Sequence, residues 1–331
     1  LADVSRLPQL KPEEAEKARN ELLAALTADK DDPGTLAKSQ AMKVLYPDHR
    51  YGLPVNGVSE TVAKLDSTLA REMHSRYFVP GNVILGISGD VNPAQVLKQV
   101  QERFGKWKEG PLPAEAPPTP PHAPGERKIV IADRPELVQT RILILHEGIE
   151  RTDPRRVAAG LLNDTLGGSG FSSRLMIKLR SEEGLTYGVN SNFAMRRRAG
   201  PFVVSTFTRV DETRHAVDLL LAQIEGIRGH DPQTPEELAK AKSYSVGQFG
   251  LGLETSAAVL SGLVNLEVYG MPDDLLDTYR MRVNAVNVNE TGKVAKELLH
   301  PERSAIVLLG PAKVLQPQFE SLGSVEVVQP D

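Results

Sequence analysis

The chain has 331 residues, with 39 Lys and Arg against 43 Asp and Glu, a formal charge of −4, and ordinary apolar (40%) and charged (25%) fractions. That length accommodates two domains with separate cores, and neither the charge nor any dense basic block creates a field for nucleic acid. The absence of cysteine excludes disulfides, thiolate metal sites and a cysteine nucleophile, and no apolar run approaches the roughly 20 residues of a membrane helix.

Residues 1–44 read as mostly helix. Lys11-Pro12-Glu13-Glu14 is a helix start, with proline near the first position and acids in the first turn. Leu22, Leu23 and Leu26 recur at helical spacing. Asp31-Asp32-Pro33-Gly34 breaks the pattern, which resumes from Thr35 to Leu45. After the turn-rich 46–52 loop, a helix is expected from Ser59, as its cap, to Tyr77. Val83-Ile-Leu-Gly-Ile-Ser-Gly-Asp90 reads as a buried strand, and Asn92-Pro93 opens a helix to Phe104 that Gly105 closes. The chain starts at Leu1 rather than Met, so it reads as a piece of something longer. A missing signal peptide therefore leaves the compartment open.

Residues 110–127 are dominated by Pro and Ala, a semi-rigid linker. It separates a first domain (1–109) from a second (128–331). In the second, Lys128–Ala132 and Gln139–His146 read as strands. Pro154–Leu166 reads as a helix entered through Asp153. Segments 186–195 and 202–208 read as an antiparallel hairpin, with Arg196-Arg197-Arg198 on its solvated turn. Helices follow over about 211–229, 235–249, 254–269, 273–283 and 289–299, and a last strand runs from Ala305 to Leu309. Strands come early and helices later, so the class is α+β. Val83–Asp90 and Ala305–Gly310 share a faint pattern of apolar strand, glycine and turn.

Between Leu166 and Val189 the chain is unusual: a glycine-rich turn, an amphipathic helix with basic Arg174, Lys178 and Arg180, then a new strand. Gly184 is placed to end the helix in a left-handed cap. Arg180 and Tyr187 are seven residues apart across that turn. A guanidinium beside a phenol is a donor pair for a developing oxyanion, and the same two residues would equally serve as a surface arginine and a core-edge tyrosine. Gly167-Gly168-Ser169-Gly170 lacks the Gly-Lys-Ser/Thr ending of a nucleotide loop.

The run Leu166-Gly-Gly-Ser-Gly-Phe-Ser-Ser-Arg-Leu175, followed by Leu179-Arg-Ser-Glu-Glu-Gly-Leu-Thr-Tyr187, resembles the C-terminal half of the M16 (pitrilysin/insulinase-type) zinc metallopeptidases. Tyr77, Pro80, Asn82, Leu85, Gly89, Asp90, Phe104, Gly105 and Trp107 resemble the end of that family's first domain. The resemblance implies two related M16/LuxS-like domains, each with helices packed on a mostly antiparallel sheet, the first truncated at its N-terminus. It implies that Arg180 and Tyr187 polarise the scissile carbonyl. Gly167, Gly168, Ser169, Gly170 and Asn192 would line the substrate chamber, where a peptide lies extended against a sheet edge.

The family's zinc motif, His-x-x-Glu-His on a helix, puts two imidazoles on one helix face with a glutamate as general base. None of the seven histidines here stands four residues from another. By the resemblance, Glu21 matches the third zinc ligand and Glu14 the glutamate that supports it, although Glu21-Leu-Leu-Ala-Ala-Leu26 also resembles noncatalytic members. Zn2+ is then expected in the complete enzyme and not in this chain alone. The expected partners are a peptide or unfolded protein and a second M16 subunit bearing the zinc, in a homodimer or heterodimer. Either the motif lies upstream of Leu1, or the chain is a noncatalytic member or scaffold. The periplasm is favoured over the cytoplasm because many bacterial relatives are exported.

Overall fold

The computed structural model describes residues 1–113 and 125–330, so the middle of the expected linker, residues 114–124, lies outside the described residues. These form two compact units. One is built from Leu1–Asp29, residues 55–113 and Gly252–Asp273, the other from Lys30–Pro54, residues 125–251 and residues 274–330.

The larger unit holds a six-stranded sheet. Its strands are β1 (Lys128–Asp133), β2 (Gln139–Glu147), β3 (Val189–Phe193), β4 (Pro201–Arg209), β5 (Ala305–Gly310) and β6 (Val325–Val328), in spatial order β3-β4-β2-β5-β1-β6. The pairings from β3 to β5 are antiparallel, and β1 runs parallel to both β5 and β6. Side chains alternate across a strand, and here both sets are apolar. Ile129, Ile131, Ile142, Ile144, Ile306 and Leu308 face one core. Val130, Ala132, Leu143, Leu145, Val307 and Leu309 face the other.

The first core is closed by helices Arg156–Asn163, Thr213–Arg228, Val288–Leu298 and Ala312–Phe319 through residues such as Leu161, Leu220, Ala295 and Leu315. The second is closed by helix Pro33–Leu45 through Leu36, Ala37, Ala41 and Leu45. Asp32 caps that helix, accepting from the Thr35 amide at 2.6 Å. The fold class is α+β as expected, but the helices are not confined to one face. β5 is buried at every position, so each of its faces must be covered, and the 33–45 segment covers the second.

The smaller unit holds helices Pro12–Asp29, Ser67–Tyr77, Pro93–Phe104 and Ser256–Tyr269, and polar contacts tie side chains of Ser67–Tyr77 to the N-terminal segment. Arg71 donates to the Leu10 carbonyl at 2.8 Å, and His74 Nε2 lies 2.8 Å from the Ser5 carbonyl. The helix expected over Ser59–Tyr77 is two helices, Ser59–Val62 and Ser67–Tyr77. Asp66 opens the second by accepting from the Thr68 and Leu69 amides, and Ser59 lies inside the first helix rather than capping it.

The expected buried strand at Val83–Asp90 is neither a strand nor buried. Val83, Ile84 and Ile87 are 40%, 49% and 46% exposed. A strand needs a hydrogen-bonded neighbour, and among the described residues of this unit there is no other strand to supply one. The likeness to β5 therefore ends at the sequence pattern.

Candidate functional site

The segment from Asn163 to Val189 is held on β3 and β4 by a short list of contacts. The helix Arg156–Asn163 runs into a wide π-type turn, Asp164–Gly168. There the chain passes so close to β3 that a Cβ on Gly167 would lie 2.5 Å from Ser191 Oγ and 2.7 Å from its amide nitrogen. Asn163 clasps the same residue, donating to the Ser191 carbonyl (2.9 Å) and accepting from its hydroxyl (2.8 Å). A second π-type turn, Ile177–Glu182, follows Arg174–Met176 in place of one regular helix. Leu175 and Leu179 are wholly buried, which fixes the face the segment turns inward.

Gly184 has φ +63°, the expected left-handed cap, and the chain folds back so that the Leu185 amide donates to the Leu179 carbonyl at 2.8 Å. Thr208 and Thr206 then staple the strand entry to β4, donating to the carbonyls of Leu185 (2.8 Å) and Gly188 (2.9 Å). With Leu185 and Thr186 buried and the backbone stapled on either side of it, Tyr187 is thrown outward. It is 82% exposed.

Three cations lie on this segment, and they are not equivalent. Arg174 binds Glu237 through two bonds of 2.7 Å and Asp231 at 2.9 Å, a half-buried clamp that anchors the start of the segment. Lys178 sits 3.0 Å from both Glu182 and Glu183. Arg180 has no such partner: among the described residues its contact is the ring of Phe171, 4.5 Å from the guanidinium carbon. At an exposed site that contact is worth about 0.5–1 kcal/mol, and it occupies none of the five N–H groups. Arg180 thus rests against the ring with its donors available among the described residues. No hydrogen bond joins it to Tyr187. The two stand at either end of the 179–185 turn.

The other expected site residues fall out as follows. Gly167 is buried against β3, so it shapes the turn and is closed to a ligand from outside. Gly168, Ser169 and Gly170 lie progressively nearer the surface, and Asn192 is exposed on β3. β3 is an edge strand with β4 on one side. On its other side the Val189 amide donates to Met176 Sδ (3.3 Å), and Asn163 holds the Ser191 carbonyl. The nearest sheet edge is therefore closed over 189–191, and a peptide cannot add there as a further strand. Phe171, 71% exposed, was not singled out by the sequence. The available signal is its place directly after Gly170, whose φ is +64°.

The described residues do not assemble a zinc site. Glu14 and Glu21 are exposed on the Pro12–Asp29 helix, and among the described residues no three His, Asp or Glu converge. His146 in β2 has both nitrogens engaged: Nε2 accepts from the His300 amide (3.1 Å), so Nδ1 carries the proton donated to the Glu147 carbonyl (2.8 Å). Burial pushes its pKa down to about 4.

Residues 64–244 match the family profile described as the peptidase M16 inactive domain. The chain belongs to the M16 peptidase family. An uncharacterized zinc protease of Streptomyces coelicolor is 28% identical to this M16 chain over 309 residues, which are 92% of this chain and 66% of that protein. The chain thus spans about two thirds of that relative's length. The peptidase M16 inactive domain from Pseudomonas fluorescens superposes with a TM-score of 0.86 at 26% identity, over 94% of this chain and 73% of its own. The periplasmic protease PqqL from Escherichia coli shares the fold, with a TM-score of 0.72 at 16% identity over 96% of this chain and 36% of PqqL. No single helix among the described residues is long and apolar enough to cross a membrane.

Proposed function

We propose that this M16 chain holds a peptide and polarises its scissile carbonyl through Arg180 and Tyr187, within a metallopeptidase whose zinc ligands come from another segment or subunit. The observation that carries this reading is Arg180, whose guanidinium rests against the Phe171 ring with no acceptor for its N–H groups among the described residues. As negative charge develops on the carbonyl oxygen, a guanidinium and a phenol hydroxyl brought to it stabilise it. Activation of the attacking water lies with the partner that brings His-x-x-Glu-His, in a homodimer or heterodimer. The substrate is a peptide or unfolded polypeptide, and the proposed compartment is the periplasm. By ancestry the chain divides into a first M16-like domain (1–109), a linker (110–127) and a second domain (128–331).

A second reading, a peptide-binding or scaffold subunit without chemistry, is favoured by the lack of a converging donor set among the described residues. The experiment that separates the two is zinc content and chelator-sensitive cleavage of a quenched peptide library, measured on the natural full-length gene product with any subunit that co-purifies. About one zinc per active site with inhibitable cleavage supports the first. No zinc and no cleavage in any assembly supports the second and overturns the first.

A further inference from the structure

What the side chains of a bound peptide would meet is set by the turn that carries Phe171. Residues 169–173 are closed on themselves. The Ser173 hydroxyl and amide both donate to the Gly170 carbonyl (2.7 and 3.1 Å), and the Ser172 hydroxyl donates to the Ser169 carbonyl (3.2 Å). The left-handed Gly170 then presents Phe171 outward from a hydrogen-bonded turn. Three large apolar or aromatic side chains stand exposed on this segment with Arg180: Phe171 at 71%, Ile177 at 42% and Tyr187 at 82%. A lone exposed apolar residue needs no explanation, but here one ring also holds the only cation of the segment that lacks an acceptor.

We propose that Phe171 is a positioning and specificity residue of this site. Its ring holds the Arg180 guanidinium so that the N–H groups remain free for a peptide carbonyl, and the rest of its surface receives a bulky apolar side chain of the residue beside that carbonyl. The preferred peptide therefore carries a Leu-like or aromatic residue there, since Ala would leave the ring wet. The inference rests on the reading of Arg180 as a carbonyl donor and adds the side-chain class that goes with it.

The test is fluorescence anisotropy with the 331-residue chain and two fluorescein-labelled Gly-Ser peptides, one with a single central Leu and one with Ala in its place. The wild-type chain is expected to prefer the Leu peptide by roughly tenfold, the scale of a few methylenes in an apolar contact. Phe171→Ser is expected to cut that preference below about threefold and Phe171→Trp to keep it. Arg180→Ala is expected to weaken both peptides alike, by about tenfold, as for loss of a charged hydrogen bond. Phe171 is exposed, so both of its variants should melt with the wild type. An unchanged Leu preference in Phe171→Ser, with the Arg180→Ala loss intact, overturns the role of Phe171 alone. If Arg180→Ala leaves both affinities unchanged, or the wild-type chain binds neither peptide, the donor reading beneath it fails as well.

Discussion

Arg174, Lys178 and Arg180 lie within seven residues of one another, yet they do different work because of what lies opposite them. Arg174 meets Glu237 and Asp231, 63 and 57 residues further along the chain. Lys178 is neutralised by its near neighbours Glu182 and Glu183. Arg180 meets a ring. No spacing rule separates a long-range clamp from an unclaimed donor, so the sequence pointed to Arg180 and Tyr187 as a pair only through their seven-residue separation and the family pattern.

His146 carries a prediction at the residue scale. Its folded pKa of about 4 lies below the ordinary 6.5 because burial disfavours the charged ring. As pH falls from about 6.5 toward 4, the unfolded chain takes up a proton that the folded chain refuses, so stability is present above 6.5 and lost through that window. At 1.36 kcal/mol per pH unit the full loss is about 3 kcal/mol. His146→Gln keeps an acceptor for the His300 amide without titrating, and its thermal midpoint should fall less between pH 7 and pH 5 than that of the wild type. Equal falls would show that His146 does not govern that limb.

Among the elements, the two π-type turns set the site, and the closest approach is at Gly167. A methyl group there has to displace backbone and hydroxyl of Ser191. Gly167→Ala is expected to cost about 1–3 kcal/mol, as other overpacked positions do, seen as a lower urea midpoint at unchanged slope. Gly184 is different, since its Cβ would meet open space and only the left-handed backbone resists substitution. Gly184→Ala should cost about 1 kcal/mol.

Much of the sheet was legible, because β1, β2, β4 and β5 are runs of β-branched and apolar residues bounded by turn signals. Helix Ala312–Phe319 and β6 were not. The helix contains Pro317, and the strand is a four-residue edge whose two central residues are both exposed. The width of the π-type turns has no counterpart in residue spacing. The 83–90 run misled for a physical reason, because periodicity reports a capacity to be a strand and not the presence of a partner. Its consequence is measurable: amides of residues 84–87 should exchange with solvent hydrogen far faster than those of β5. Comparable protection would contradict the unpaired backbone.

At the scale of the whole molecule, the division of labour follows from which residues are present. The larger unit carries a two-faced sheet, covered on its second face by helix Pro33–Leu45, and exposes Tyr187 and Phe171, the latter against Arg180. Nothing among the described residues gathers a metal's ligands. On the reading proposed above, the chain supplies carbonyl donors and apolar contacts, and the water activator comes from another segment or subunit.

That claim is tested most directly by kcat of the assembled, zinc-bearing enzyme carrying Arg180→Ala, with zinc content and thermal midpoint measured alongside. Loss of one oxyanion donor predicts a kcat lower by about 10²–10³, with zinc and midpoint unchanged. A kcat equal to that of the wild type would contradict the role assigned to Arg180, and with it the account of this site.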